Sequence, residues 1–506
     1  MLAEPDSSLP RSWSVFDFGL HAFLVVNPLA LGLWTFSLAP LVGGNLFVAV
    51  ALGGFVMVLG AVVYGALAAS RPWTGGDYAW QTRLLDPRVG AIVTLTAWWL
   101  VVAVLAPVFG NVIVVQVLDP LFMHAGWEGA ASWLRGRDGA LAASLLAIAL
   151  AAAFVGLGMR RAALVQRVVA GIGAVALLAA LGLMFASSPG EFEKRFDAQA
   201  TELYGSGPIA HGQTLYLGTY DARVGDLEPV DTLRLVPLVL LFGLWIGWAT
   251  PLVGEVRTKR PPAIATALVR AAGVSTLLSL VVFIAIARGV HWEFWNEANN
   301  LYWGTVYETT TTTLLPTWPN PVVFAAWLSD STTVQIALIA GMGAWVLGWT
   351  ATLFLAATRV LVASANDRVL PSAVGRMKGD SVPVNALALL VLPACGFAAL
   401  DAYWDTFATW TSASVVVLGL TSAGSGIAAV VAFRRERPGV AAASIVFVSI
   451  VVLVIVIWCA DPIFGIRGLG QLAFVSALYG LAGGVFALGR RRSPRRFGGR
   501  VGARAG

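Results

Sequence analysis

Val15–Leu38 reads VFDFGLHAFLVVNPLALGLWTFSL, with Asn27-Pro28-Leu29-Ala30-Leu31-Gly32 at its centre. About 20 apolar residues suffice to cross a bilayer, so the stretch is long enough to span. Its middle is badly suited to an unbroken helix. Pro28 has no N–H to donate and disfavours helical geometry at Asn27, and Gly32 adds backbone freedom. In hydrocarbon an unpaired backbone group costs several kcal/mol unless protein or a water-filled cavity receives it. A break at mid-membrane depth is therefore either a locally repaired kink or the wall of a polar site, and the rest of the chain decides between them.

Hydrophobic residues make up 58% of the 506 and charged residues only 12%, with a mean hydropathy of +0.79. Soluble chains carry about 25% charged residues, so this is the composition of a polytopic membrane protein. Twenty tryptophans agree, since indoles favour the headgroup interface. The net charge of +6 does not indicate nucleic acid, because the basic residues lie in short connections between apolar spans. Cys395 and Cys459 both fall inside apolar spans and form neither a disulfide framework nor a zinc motif.

Apolar runs give twelve candidate spans, at about 15–38, 46–69, 91–118, 139–158, 163–187, 233–254, 263–287, 332–362, 384–400, 403–433, 441–460 and 469–489. With the N-terminus inside, about three quarters of the 33 Lys and Arg fall on the cytoplasmic side, which places both termini there. Two long external connections, 188–232 and 288–331, read as solvated loops with short interfacial helices, the alternative being an extracellular lid over a pathway. The second holds Thr309–Thr313, Pro316, Pro319 and Pro321. The arginine-rich tail 490–506 suits the anionic inner leaflet of a plasma membrane.

The sixth span, Asp231–Glu255, reads DTLRLVPLVLLFGLWIGWATPLVGE and is interrupted by Gly243, Gly247, Thr250 and Pro251. The first and sixth spans thus carry corresponding interruptions five spans apart. Five is odd, so a five-helix repeat inverts its orientation, and paired interruptions of this kind point to a transporter site at the repeat interface. Taken together, these features favour the site over the kink.

Three further segments carry a family resemblance. Arg71-Pro72-Trp73-Thr74-Gly75-Gly76-Asp77-Tyr78, followed by Arg83-Leu84-Leu85-Asp86-Pro87, resembles the loop after the second helix in the amino acid–polyamine–organocation superfamily. Gly254-Glu255-Val256-Arg257 through Pro261-Pro262 is similar to that superfamily's exit from helix six. Asp367-Arg368-Val369-Leu370-Pro371, with Val382-Pro383-Val384-Asn385, is similar to its loop between helices eight and nine. The resemblance implies an all-α integral membrane protein of 12 transmembrane helices with a leucine-transporter-like fold. In that fold 15–187 (helices 1–5) and 233–433 (helices 6–10) form a 5+5 inverted repeat joined by the extracellular loop 188–232. Two C-terminal helices (434–489) follow, with 1–14 and 490–506 as cytoplasmic tails. The resemblance also implies secondary active transport of amino acids or related small solutes by alternating access.

A half-helix start offers N–H groups to an anion and a half-helix end offers carbonyls to a cation, a pairing that suits the zwitterion of an α-amino acid. The expected substrate contacts are Val26, Asn27, Pro28, Leu29, Ala30 and Leu31 in the first span, and Phe242, Gly243, Trp245, Gly247 and Trp248 in the sixth. The middles of the spans hold no Asp, Glu or Lys, which disfavours a polyamine and favours a neutral amino acid. Some superfamily members place a lysine in helix five, and the matching position here is about Gly173. His21, the only histidine inside a span, is the coupling candidate, its alternative being a packing residue. Glu255 is the gate candidate, with Arg71, Arg83, Arg160 or Arg359 as partner. Trp98, Trp99, Trp345 and Trp349 read as packing stripes that would favour a bulky apolar substrate if they lined the site. No cofactor or metal site is expected. Coupling to sodium or protons, exchange, and uncoupled uptake all remain open, as does a homo-oligomer. The competing readings are a non-transporting sensor or assembly subunit of the same fold, and a carrier of amines or nucleobases. An enzyme is disfavoured, because no cluster of ionisable groups occupies the spans.

Overall fold

The structure, a computed structural model, describes residues 10–29, 31–204, 228–306, 318–379, 381–466 and 468–492. Ala30, Thr309–Thr313, Pro316, residues 205–227 of the first long connection and most of both tails lie outside the described residues. Among the described residues, eleven helices are long and apolar enough to cross a membrane: Leu46–Ser70, Pro87–His124, Arg137–Gly156, Gly158–Ala186, Pro229–Glu255, Pro262–Gly289, Thr332–Asn366, Val384–Tyr403, Ser414–Phe433, Pro438–Ala460 and Leu469–Arg491. They match the second to twelfth expected spans, and we number them so. Where the first was expected, two shorter helices stand in sequence, Val15–Val26 and Leu31–Phe36. The tenth begins later than its apolar run, because Trp404 is extended and Asp405–Thr411 forms a separate short helix.

Burial ranks the helices. Of the apolar window of the sixth, 94% is buried, against 22% for the twelfth, so the sixth lies at the centre and the last at the lipid-facing edge. The third and eighth are nearly as enclosed as the sixth. The first packs against the sixth, seventh and eighth. The third is irregular: π-helical turns at Thr96–Val101 and Val114–Leu118 flank an interruption at Leu105, before Pro107. Each π turn inserts a residue into the helical repeat and rotates the residues beyond it about the axis.

The two long connections contain short helices, as expected. Pro189–Tyr204, Trp292–Val306 and Pro321–Trp327 pack through an aromatic cluster, with Phe196 and Phe294 centroids 4.9 Å apart and Phe192 and Phe324 5.2 Å apart. Trp303 lies 4.8 Å from Trp34, and the Trp303 and Trp318 indoles both donate to Ser37 Oγ, at 2.7 and 3.2 Å. These contacts anchor the connections to the second half of the first span, Leu31–Leu38.

Candidate transport site at the first and sixth helices

The break in the first span is built from both sides. Ser14 and Asp17 form a reciprocal capping box, Asp17 N–H donating to Ser14 Oγ and Ser14 N–H to Asp17 Oδ2, so the helix begins firmly at Val15. It stops at Val26 because Asn27 turns left-handed, φ 38° and ψ 73°, with its N–H on Phe23 O at 2.9 Å. Asparagine is one of the few residues besides glycine that visits this region routinely. The Asn27 amide donates to Trp345 O in the eighth helix at 2.6 Å. Gly32 N–H returns to Asn27 O at 3.3 Å, closing the loop around Pro28 and Leu29. A helix that stops here leaves last-turn carbonyls without helical partners.

The sixth helix behaves differently from the expected open break. Pro229–Gly243 is α-helical, and Leu244–Glu255 continues without interruption as a 3₁₀ helix. The proline explains the change. In an α-helix the Gly247 carbonyl would take the N–H of residue 251, which is Pro251; the Thr250 hydroxyl takes that carbonyl instead, at 2.6 Å. A 3₁₀ helix brings residues i and i+3 onto one face, so Trp245 and Trp248 stack, centroids 5.2 Å apart and planes 10° apart. The stack extends at both ends. Trp98 of the third helix lies 4.3 Å from Trp248, and Trp349 of the eighth lies 5.7 Å from Trp245 at 19°. Phe109 meets Trp349 edge-on at 4.5 Å. Four indoles thus form a column through the third, sixth and eighth helices, one helical turn along the eighth from the carbonyl that Asn27 holds. The indole N–H groups of Trp245 and Trp349 are buried and have no hydrogen-bond partner among the described residues.

The other expected sixth-helix contacts point in different directions. Phe242 meets Phe36 of the first span, centroids 5.3 Å apart. A Cβ at Gly243 would touch only Met57 and Leu240, whereas one at Gly247 would lie 2.5 Å from the Tyr64 ring. Gly247 is therefore where the second helix closes on the sixth.

At the face that carries the N-terminal segment, Glu255 ends the sixth helix and pairs with Arg359, Nε to Oε1 2.7 Å and Nη2 to Oε2 3.2 Å, both side chains almost wholly buried. Of the four arginines considered, Arg359 is the partner, and Arg83 instead pairs with Asp367 at 3.0 Å. Trp13 straps this end. Its N–H donates to Glu255 O at 3.2 Å, its carbonyl accepts from Arg257 N–H at 2.7 Å, and its indole donates to Met159 O at 2.7 Å. Beside this layer Asp77, at the start of the short helix Asp77–Leu84, is fully buried. It accepts from Trp98 Nε1 at 3.1 Å and from the Ser425 hydroxyl, and it faces Tyr64. Burial raises its pKa to about 6 against the lowering effect of these donors.

The sequence profile of the amino acid permease family matches residues 20–482, which takes in the first break, the sixth helix, the indole column and the Glu255–Arg359 pair. The chain belongs to the amino acid permease family. No individual curated protein matches it. The permease is thus an all-α, multi-pass membrane transporter of the amino acid–polyamine–organocation type, with a small-molecule substrate and a lipid surround, rather than a member of an enzyme family.

Within this permease the helix-five position at Gly173 is occupied by its neighbour. A Cβ there would fall 2.0 Å from the Trp345 ring, whose Nε1 donates to Ala170 O at 3.0 Å. Trp345 also meets Phe23 edge-on at 5.6 Å, so it packs around the first-span break as the stripe reading expected. Trp99 is likewise anchored, to Leu389 O at 2.9 Å.

His21 is fully buried, with its ring 5.0 Å from Trp13 and neither ring nitrogen hydrogen-bonded among the described residues. Gln166 lies beside it; its Nε2 donates to Asp17 O, and its Oε1 has no partner among the described residues. Asp77 is the residue that sequence reasoning passes over. It stands inside the Arg71–Tyr78 motif, where a loop acid reads as solvated. The available signal is an acid directly after Gly75-Gly76 in a segment rich in aromatic residues.

Proposed function

We propose that this permease carries a neutral amino acid with a bulky apolar or aromatic side chain across the plasma membrane by alternating access. Both termini are cytoplasmic in this reading, and residues 15–187 and 233–433 act as inverted repeats. The substrate sits at the first-span break, around Val26–Leu31, against Phe242, Gly243, Trp245, Gly247 and Trp248. One observation carries this reading: two orphan indole donors, Trp245 and Trp349, lie in an aromatic wall beside Asn27, the one described residue of the first span that turns left-handed. An unpaired buried donor costs about 1–3 kcal/mol, which a substrate carboxylate would recover. The flat ring faces accept an apolar side chain. Glu255–Arg359 is the inner gate. Proton coupling runs through His21 or Asp77, the titratable side chains buried beside the gate without an opposite charge in contact.

The test is uptake of labelled phenylalanine, leucine and alanine into liposomes, with proton, sodium or no gradient, and with nucleobases as competitors because parallel indoles also stack on planar heterocycles. Trp245→Phe and Trp349→Phe each delete one N–H and should raise KM several-fold while leaving the protein folded. Uptake of no neutral amino acid, or unchanged KM in both variants, overturns the reading.

A further inference from the structure

The seventh helix, Pro262–Gly289, is 28 residues long, about 42 Å at 1.5 Å per residue against a hydrocarbon thickness of about 30 Å. Arg270 lies eight residues in, about 12 Å along the axis, which puts its Cα about 6 Å inside the hydrocarbon if the helix is centred. The residue is exposed on the outside of the bundle and forms no ion pair among the described residues. A guanidinium at that depth must reach an anion or the headgroup layer. Beside it is a groove of about 550 Å³ between the second and seventh helices, walled by Val62, Ala66, Ala265 and Val269 and lined also by Arg270 and the exposed Arg437. No acid lines it, and Glu436, the acid next in sequence, is not part of it. Arg437 lies over the Phe433 ring at 5.8 Å, and Arg71 lies over the same ring at 5.6 Å, which brings a third guanidinium close.

We propose that this groove is a binding site for an anionic phospholipid. One acyl chain lies along Val62, Ala66 and Val269, and the phosphate sits between Arg270 and Arg437. The apolar walls account for a chain, and the uncompensated pair of cations selects a headgroup with net negative charge over a zwitterionic one. Such basic pockets between helices at the membrane surface are where acidic headgroups bind. A lipid held here would bridge the second and seventh helices.

Native mass spectrometry of the full chain, purified from mixed phosphatidylglycerol and phosphatidylcholine, tests this. The unmodified protein should retain phosphatidylglycerol selectively. Selectivity should fall roughly fivefold for each arginine removed in Arg270→Gln and Arg437→Gln, the equivalent of about 1 kcal/mol per surface charge. Thr266→Trp, at an exposed lining position, should also displace the lipid without changing charge. Arg434→Gln/Arg435→Gln, two exposed arginines outside the groove, should retain it. The proposal is overturned by unchanged selectivity in the double variant, or by equal loss in the Arg434/Arg435 control, which would mean bulk attraction. It is also overturned if inorganic phosphate stabilises the protein as well as phosphatidylglycerol does.

Discussion

In the first span Asn27 turns left-handed and neither Pro28 nor Leu29 is helical; in the sixth, Leu244–Glu255 stays helical and only tightens. Both segments contain a proline in an apolar run. What differs is the residue before it. Thr250 precedes Pro251, and its hydroxyl reaches back to the carbonyl that the proline cannot serve. Asn27 precedes Pro28, and its amide reaches outward to the eighth helix. A proline with a local substitute donor bends or retunes a helix, while one whose neighbour bonds elsewhere opens it. The opened segment offers backbone groups, and the tightened one offers a row of aligned rings.

The largest effect is expected where the two helices are tied together. Arg359→Met leaves Glu255 buried without its partner beside the Trp13 strap, and should destabilise the protein by about 3–5 kcal/mol in chemical unfolding from detergent micelles. A smaller loss would mean that the sixth-helix end relaxes into solvent.

Next is the polar support beneath the sixth helix. Asp77 has a folded-state pKa raised by burial to about 6, so its ionised form is the penalised one. The folded state takes up the proton first, and stability from this group rises as pH falls from about 6 towards the ordinary carboxylate value, then levels off. Asp77→Asn should remove that slope and raise neutral-pH stability by at most about 3 kcal/mol, read from melting curves between pH 4 and 8. A slope that persists in the variant would assign it elsewhere.

Glycines sharpen the contrast further. Gly247→Ala places a methyl 2.5 Å from the Tyr64 ring and should cost about 1–3 kcal/mol by overpacking. Gly32→Ala, where the nearest atoms are 3.4 and 3.7 Å away on Phe36 and Phe242, should stay within about 0.5 kcal/mol. Equal costs would erase the difference between a sealed and an open segment.

Two side-chain bonds test the mechanism itself, with effects below that of the Gly247 clash. Thr250→Val deletes the hydroxyl's bond to the Gly247 carbonyl, and Asn27→Gly keeps the left-handed turn while deleting the bond to Trp345; each should cost about 1 kcal/mol in melting experiments. Asn27→Ala should cost more than Asn27→Gly, since alanine also resists a φ of 38°.

Much of this is legible in the sequence. The apolar runs place the spanning helices because hydrocarbon permits little else, and Asn27-Pro28 marks the first break because proline chemistry is local. The pitch of the sixth helix is not legible. It depends on a shift of one residue in hydrogen-bonding partner, and an apolar run over 244–255 does not separate a period of 3.0 from 3.6. Asp77 is passed over because its cover, Tyr64, Trp98 and Ser425, comes from three separate helices that the sequence does not bring together. Arg359 can be named among four candidates for Glu255, but only packing selects one. Short helices in the two long connections are legible, but not the aromatic cluster through which they pack, because its rings come from separate segments.

The indole column has a spectroscopic consequence. Neighbouring rings at 4.3, 5.2 and 5.7 Å are close enough for their electronic transitions to couple. The chain of coupled chromophores runs from the third helix through the sixth to the eighth. Any motion that slides the sixth helix past either neighbour changes ring spacing and tilt, and so the near-ultraviolet circular dichroism of the unlabelled protein. The permease carries its own optical gauge of the step by which one side closes and the other opens.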